Sequence, residues 1–293
     1  MGVNRKKTQK SLSLGRPPTA RPPKAAFSRK TARTLINRHH HLEKRRQQAI
    51  RDGDEGSAAA AAAEISALGG LERYQQASLL GQSKDRGGDS SRVLLDWLKP
   101  SLPSKNKELG TQIRMLEVGA LSTSNACAAS GYFETVHIDL NSQAPGILKQ
   151  DFMERPLPSS DAERFDLISL SLVLNFVPDP AARGSMLRRM TAFLRMPGPS
   201  LRHSGEAFPS VFIVLPRSCV LNSRYCSEEL FGDIMASLGF SRLEWKITGK
   251  LVYSLWRRDA AVSTPARSFP KKEINPGPKR NNFAVVLKGT KDA

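Results

Sequence analysis

An α/β fold is predicted by this 293-residue sequence: a mostly parallel sheet finished by an antiparallel terminal strand and preceded by a helical N-terminal extension. Three observations carry the prediction. From about residue 111, short apolar runs alternate with helix-patterned stretches, the habit of parallel strands covered on both faces. The last apolar runs follow one another with no good helix between them, so they have to pair antiparallel. Residues 57–110, by contrast, carry helical patterning only.

Each element can be justified in turn. "SAAAAAAEISALGG" reads as a helix capped by Ser57 and stopped at Gly69-Gly70. In the following stretch Leu71, Tyr74, Ala77 and Ser78 share one face. "DRGGDSS" then turns the chain and caps a second helix carrying Val93, Leu94, Trp97 and Leu98, which ends before Pro100. "SLPSKNKELG" is a linker. "QIRMLEVG" is a buried strand, "SNACAAS" a short helix, "TVHIDL" and "GILKQD" the next two strands, and "RFDLISLSLVL" a fourth. "ARGSMLRRMTAFLRM" is a helix, "SVFIVLP" a fifth strand, and "SEELFGDIMASLGF" a helix stopped by Gly239. "RLEWKITGKLVYSLWRR" and "NNFAVVLKG" are expected to pair as the antiparallel finish. One nucleotide-binding half followed by such a finish is the pattern of Rossmann-like class I methyltransferases.

Charge divides the chain further. Residues 1–50 hold 14 Lys/Arg against Glu43 alone, and residues 250–293 hold 10 against three carboxylates, so the +18 net charge sits on two arms around a nearly neutral body. A Pro-rich arm of one sign buries too little to fold alone, yet attracts polyphosphate. The expected division is therefore a basic disordered arm (1–56), a helical lead-in (57–110) and a catalytic domain (111–293). A nucleic-acid partner fits the arms. An import address and a mitochondrial presequence are the alternatives, the second opposed by early prolines and by "NRKKTQK". No apolar run reaches membrane-spanning length, so no membrane partner is expected. In "NRHHHLEKRR", His39, His40 and His41 point about 100° apart on a helix and do not converge on one ion, so the stretch reads as a solvated basic helix. Cys127, Cys219 and Cys226 have no metal-ligand spacing, so they read as reduced and buried, with no metal site.

The turn after the first strand, "EVGALSTSN", locates the candidate site, since ligands of open parallel sheets lie at the carboxyl ends of the strands. Gly119 is expected where backbone passes close to a ligand, and Ser122, Thr123, Ser124 and Asn125 to offer a helix N-terminus. Two glycines of the G-x-G-x-x-G pyrophosphate turn are missing, which disfavours a dinucleotide. Asp139 ends the second strand 20 residues beyond Gly119, placed for the two hydroxyls of a ribose. A ribose without a pyrophosphate describes S-adenosylmethionine. Glu117 is a candidate for its ammonium or for neighbouring backbone, and Asp151 for its adenine.

Together "GGLERYQQASLLGQSKDRGGDSSRVLLDWL", "LEVGALST", "HIDLNSQ" and "NNFAVVLKG" resemble the fungal 25S rRNA adenine-N1 methyltransferases, over roughly residues 69 to 290. The resemblance implies a nuclear, nucleolar class I enzyme of ribosome biogenesis that uses S-adenosylmethionine on large-subunit rRNA or a pre-ribosomal particle. It assigns the cofactor to Gly119 and Asp139.

On the acceptor side, "NFVPDP" after the fourth strand lacks the Pro-Pro-aromatic arrangement of adenine-amino methylation. Asn175 is a candidate for orienting the base, or a strand-end cap; Phe176 stacks on the base, or belongs to the core. In "LPRSCVLNSRYCSEEL", Asn222, Arg224 and Tyr225 are candidates for a hydrogen bond, a phosphate contact and a stacking ring, against plain helix capping by Ser227. Three other readings stay open: a non-catalytic rRNA-binding assembly factor, a methyltransferase for protein or small molecules, and a nicotinamide-dependent oxidoreductase.

Overall fold

The computed structural model describes residues 29–70, 73, 74, 77, 89–102, 112–142, 144–197, 207–259 and 267–289. Expectations about residues 1–28, Leu71, Ser78 and most of the 101–110 linker lie outside these. Helix α1 (Arg29–Arg51) is followed by α2 (Glu55–Ala67), which packs back along it. Residues 29–56 are therefore not the disordered arm expected from their charge. Leu35, Leu42 and Ala49 recur every seven residues, one face of a helix, and Leu42 and Ala49 are buried, as is Ala61 of α2. The charge of α1 is absorbed by pairing: Arg38 and Arg45 both reach Glu64. The cap of α2 is Asp54, whose side chain accepts from the Ser57 backbone N–H, and not Ser57 itself. Gly69 and Gly70, both at positive φ, end that segment as expected.

Helix α3 (Ser91–Leu98) leads into the sheet. Strands β1 (Ile113–Val118), β2 (Phe133–Asp139), β3 (Ile147–Lys149), β4 (Leu167–Ser171) and β5 (Ser210–Pro216) are parallel. Between them run α4 (Ala126–Ala129), α5 (Pro180–Phe193) and, after β5, α6 (Arg217–Leu221) and α7 (Glu228–Ser237). The seven-stranded order is β3-β2-β1-β4-β5-β7-β6. β5, buried along its length, is the kind of continuous apolar strand that only a sheet covered on both faces accommodates.

The antiparallel finish differs in detail from expectation. "RLEWKITGKLVYSLWRR" supplies both of its strands, β6 (Phe240–Ile247) and β7 (Leu251–Arg258), and β7 pairs antiparallel with β5 as well. A tight turn held by Thr248, whose Oγ1 accepts from the Leu251 N–H at 3.0 Å, makes the hairpin. "NNFAVVLKG" is not a sheet strand; only isolated bridges involve it. It packs on α5, burying Phe283, Ala284, Val285 and Leu287. There Gly184 is required, because a Cβ would collide with the carbonyl of Val286. The three cysteines are free and buried, as expected.

Candidate active site

At the carboxyl edge of the sheet, β1 ends in Gly119 at φ +75°, and the backbone N–H groups of Gly119 and Ala120 both donate to Ile138 O. A side chain at 119 would meet Val173, its Cβ lying 2.6 Å from Val173 Cγ2. The left-handed turn and the approach of Val173 each require glycine at this position. Val173 is delivered by Leu172, a non-glycine residue at φ +59°, which turns the chain sharply where β4 stops.

The helix N-terminus after this turn is closed. Ala126 N–H donates to Asp89 Oδ2, Cys127 N–H to Ser91 Oγ, Ala128 N–H to Asn125 Oδ1 and Ala129 N–H to Asn125 O. The bond from Ala129 is the first intrahelical one, and the three amides ahead of it, those of Ala126, Cys127 and Ala128, all have partners within the protein. Asp89 was missed as a site residue by sequence reasoning. It caps the start of α3 through Ser91 N–H at 2.9 Å and α4 at once, while Ser90 Oγ lies 2.8 Å from Ser171 Oγ at the end of β4. The lead-in is thus strapped across the ends of β1 and β4. The local signal in "GGDSS" announces one cap; the second depends on the fold.

Acidic side chains gather along the same edge. Glu117 Oε2 accepts from Asn125 Nδ2 and from His137 Nδ1, each at 2.8 Å, tying β1 to β2 and to the cap of α4. Asp139 Oδ1 accepts from the Asn141 N–H at 2.8 Å. Asp151 follows β3, which pairs with β2 so that Lys149 opposes Asp139, and its Oδ1 accepts from the Met153 N–H at 2.7 Å. The fold brings Glu117, Asp139 and Asp151 to three neighbouring strand ends.

The acceptor side is built by "NFVPDP". Among the described residues, Asn175 Oδ1 is buried and accepts no hydrogen bond, a costly state for an amide oxygen in a protein interior. Phe176 meets Tyr74 edge to face, centroids 5.6 Å apart, and Tyr74 stacks on His39 of α1 at 4.6 Å. Burial pushes the His39 imidazole below the ordinary histidine range, with Glu43 opposing. Arg51 of α1 pairs with Asp179 at 2.6 Å, the residue that caps α5. Arg183 donates to Val177 O, Pro178 O and Ala284 O, and burial lowers its guanidinium to about 10. It fixes the acceptor loop to the C-terminal segment.

The 222–227 loop is mostly structural. Ser227 caps α7 through the Leu230 N–H, the blander of the two expectations. Arg224 directs its guanidinium to Gly277 O, Pro278 O and Asn282 Oδ1, and Asn222 Nδ2 reaches Lys279 O, so both tie the loop to the C-terminal segment. The ring of Tyr225 lies under the Lys271 ammonium, 4.5 Å from its centroid.

A mostly parallel sheet that presents acids at three adjacent carboxyl ends and finishes with a β7-β6 hairpin has the architecture of a Rossmann-like class I methyltransferase. Residues 59–285 match the family described as 25S rRNA (adenine(2142)-N(1))-methyltransferase, Bmt2, and the chain belongs to that family. Its similarity to the 25S rRNA (adenine(2142)-N(1))-methyltransferase of Saccharomyces cerevisiae is 40% identity over 225 residues, 76% of this chain and 62% of that protein. The 25S rRNA adenine-N(1) methyltransferase of Schizosaccharomyces pombe is 37% identical over 217 residues, 74% of this chain and 76% of the relative. The chain thus spans less than two thirds of the S. cerevisiae protein. Among solved structures, N-methyltransferase NodS from Bradyrhizobium japonicum, in complex with S-adenosyl-L-homocysteine, is 14% identical over 57% of this chain and 84% of its own, with a TM-score of 0.38. The [4+2]-cyclase SpnF is 12% identical over 59% and 82%, with a TM-score of 0.41.

Proposed function

We propose that this chain methylates N1 of an adenine in large-subunit rRNA, using S-adenosylmethionine, as part of ribosome biogenesis in the nucleolus. Family membership supports the reaction class. The observation that carries the choice of acceptor is the orphaned, buried Oδ1 of Asn175. An amide oxygen can only accept, and the exocyclic amino group of adenine, adjacent to N1, is a donor. Asn175 would hold that amino group and leave the N1 lone pair unengaged.

S-adenosylmethionine, when bound, supplies a methyl group on a cationic sulfur. In this reading Asp139 would hold the ribose hydroxyls, Asp151 the adenine and Glu117 the ammonium, which their positions at three neighbouring strand ends support. N1 of adenine is already nucleophilic, so the chain needs no general base; its work is to orient the base and exclude water. A paired adenine hides N1, so the target has to be unpaired or flipped out. Phe176, backed by Tyr74, offers the aromatic face that offsets the lost stacking. Tyr225 is retained as a second candidate ring, its other face held by Lys271. In this reading residues 111–293 form the catalytic domain and 57–110 a lead-in that closes it.

N1-methyladenine cannot pair and stops reverse transcriptase. The test is to map such stops on 25S rRNA from cells with and without the protein, then to restore them with the purified full chain and S-adenosylmethionine. A methyl group recovered on protein, or on an adenine that is read through, overturns the proposal.

A further inference from the structure

The described arginine side chains of α1 and the cations of the 267–289 stretch differ in their partners, while Lys44 of α1 lies near Arg183. On α1, Arg38 and Arg45 pair with Glu64, Arg46 with Glu43, and Arg51 with Asp179. Between residues 267 and 289 six basic residues face Glu273 alone. Of these, Lys271, Lys272 and Lys279 are exposed and Arg280 is half-buried, and none of the four makes an ion pair with a described residue.

This stretch has no regular secondary structure, yet its backbone is pinned. Ile274 N–H donates to Arg224 O at 2.7 Å and Asn281 N–H to Asn222 O at 2.9 Å. Arg224 Nε donates to Gly277 O at 3.0 Å, Asn281 Nδ2 to Ser218 O at 2.6 Å and Asn275 Nδ2 to Ser223 O at 3.3 Å. Arg224, Asn275 and Asn281 anchor the loop through hydrogen bonds to backbone carbonyls, while its exposed lysines make no ion pair with a described residue. The loop sits on residues 217–225, which follow the carboxyl end of β5. On the same edge, the exposed Arg217 donates its N–H to the carbonyl of the exposed Lys250 at 2.7 Å. Arg183 connects this rim to the Asn175 loop through Val177 O and Ala284 O.

We propose that Lys271, Lys272, Lys279 and Arg280, extended by Arg217 and Lys250, form a pre-built phosphate cradle for RNA beside the acceptor loop, and that the arginines of α1 contribute little to binding. The proposal rests on the reading of the chain as an rRNA methyltransferase. Its physical basis is the state of the cations. An unpaired lysine that meets a phosphate releases a counterion and gains affinity, whereas an arginine already facing a carboxylate has to surrender that partner and leave a negative charge beside the RNA. The pinned backbone removes much of the ordering cost a loose basic tail would bear on binding. Lys271, held over Tyr225, has its ammonium placed in advance.

The test titrates the full chain, without cofactor, into a labelled single-stranded RNA of about 20 nucleotides and into a poly-glutamate peptide of similar length over a range of KCl concentrations. In a Lys271→Gln/Lys272→Gln/Lys279→Gln/Arg280→Gln variant the log–log salt slope for RNA should flatten by about 0.7 for each cation that touches a phosphate. Affinity at low salt should fall at least tenfold. An Arg38→Gln/Arg45→Gln variant should keep the wild-type slope, and poly-glutamate should bind far more weakly than RNA. Should the quadruple variant lose thermal stability, the Lys272→Gln/Lys279→Gln pair, both exposed, is measured instead. An unchanged slope in the cradle variants, an equal loss in the α1 variant, or equal affinity for poly-glutamate overturns the cradle. Normal RNA binding by a wild-type chain that leaves no N1-methyladenine would instead overturn the proposed reaction and leave the cradle standing.

Discussion

Val173 stands against Gly119 so closely that a Cβ there would lie 2.6 Å from Val173 Cγ2, at a backbone φ of +75°. Two separable penalties follow for Gly119→Ala: about 1 to 2 kcal/mol for placing a side chain in the left-handed region and about 1 to 3 kcal/mol for overpacking. Adding Val173→Ala should recover only part of the second. Urea unfolding of the two variants checks this; full recovery by the second substitution would show that the backbone is not constrained.

Asp139 and Asp89 lie along one edge but have different duties. Asp139→Ala should weaken S-adenosylmethionine binding by about 1.5 to 3 kcal/mol for each charged hydrogen bond lost. Asp89→Ala should mainly lower the unfolding temperature, since two helix starts lose a cap worth about 0.5 to 2 kcal/mol each. Calorimetric titration alongside thermal unfolding separates the two; equal loss of cofactor affinity in both variants would refute the division.

Asn175 is expected to act on turnover. Asn175→Ala should reduce methylation of RNA by about ten- to a hundredfold, with S-adenosylmethionine affinity retained, because the lost hydrogen bond is to the base. Single-turnover methylation and cofactor titration on the same preparation measure both, and a loss confined to cofactor affinity would relocate Asn175 to the other half of the site.

Leu42 makes α1 part of the folded body. Leu42→Ala should destabilise the protein by about 2 to 4 kcal/mol, and deletion of residues 1–51, which also removes the Arg51 partner of Asp179, should cost more than deletion of 1–28. Thermal melts that coincide for the two deletions would return α1 to the status of an arm.

The thiols set a pH limit on stability. Burial raises Cys127 and Cys226 to about 12 and Cys219 to about 11, from an ordinary 9.0. Since the unfolded chain gives up these protons first, their contribution is whole below pH 9 and is lost as pH climbs from there toward 11 to 12. Native protein at pH 8 should react with a thiol reagent only as fast as it unfolds. Rapid labelling of any of the three without unfolding would contradict the burial.

The alternation of strands and helices was readable because it follows from local pattern. Alternating apolar runs specify parallel strands, and a glycine followed 20 residues later by Asp139 marks the ends of the first two. The same rule put Glu117 and Asp151 near the ends of β1 and β3, where the fold has them. The heptad spacing of Leu35, Leu42 and Ala49 was equally local, but the charge around it made the segment read as a solvated helix in a loose arm, and only the pairing of Arg38 and Arg45 with Glu64 and of Arg51 with Asp179 explains why those cations do not hold α1 apart. Long-range contact decided the rest. A sequence shows that Asp89 can cap a helix, but not that its second oxygen will meet Ala126; that Gly119 takes a turn, but not that Val173 will lean on it. Arg224 and Lys271 look alike as basic residues until the fold spends one on carbonyls of the C-terminal loop and leaves the other without a carboxylate. Charge and propensity belong to a residue, whereas the satisfaction of a donor, an acceptor or a charge belongs to the neighbours that tertiary packing brings to it.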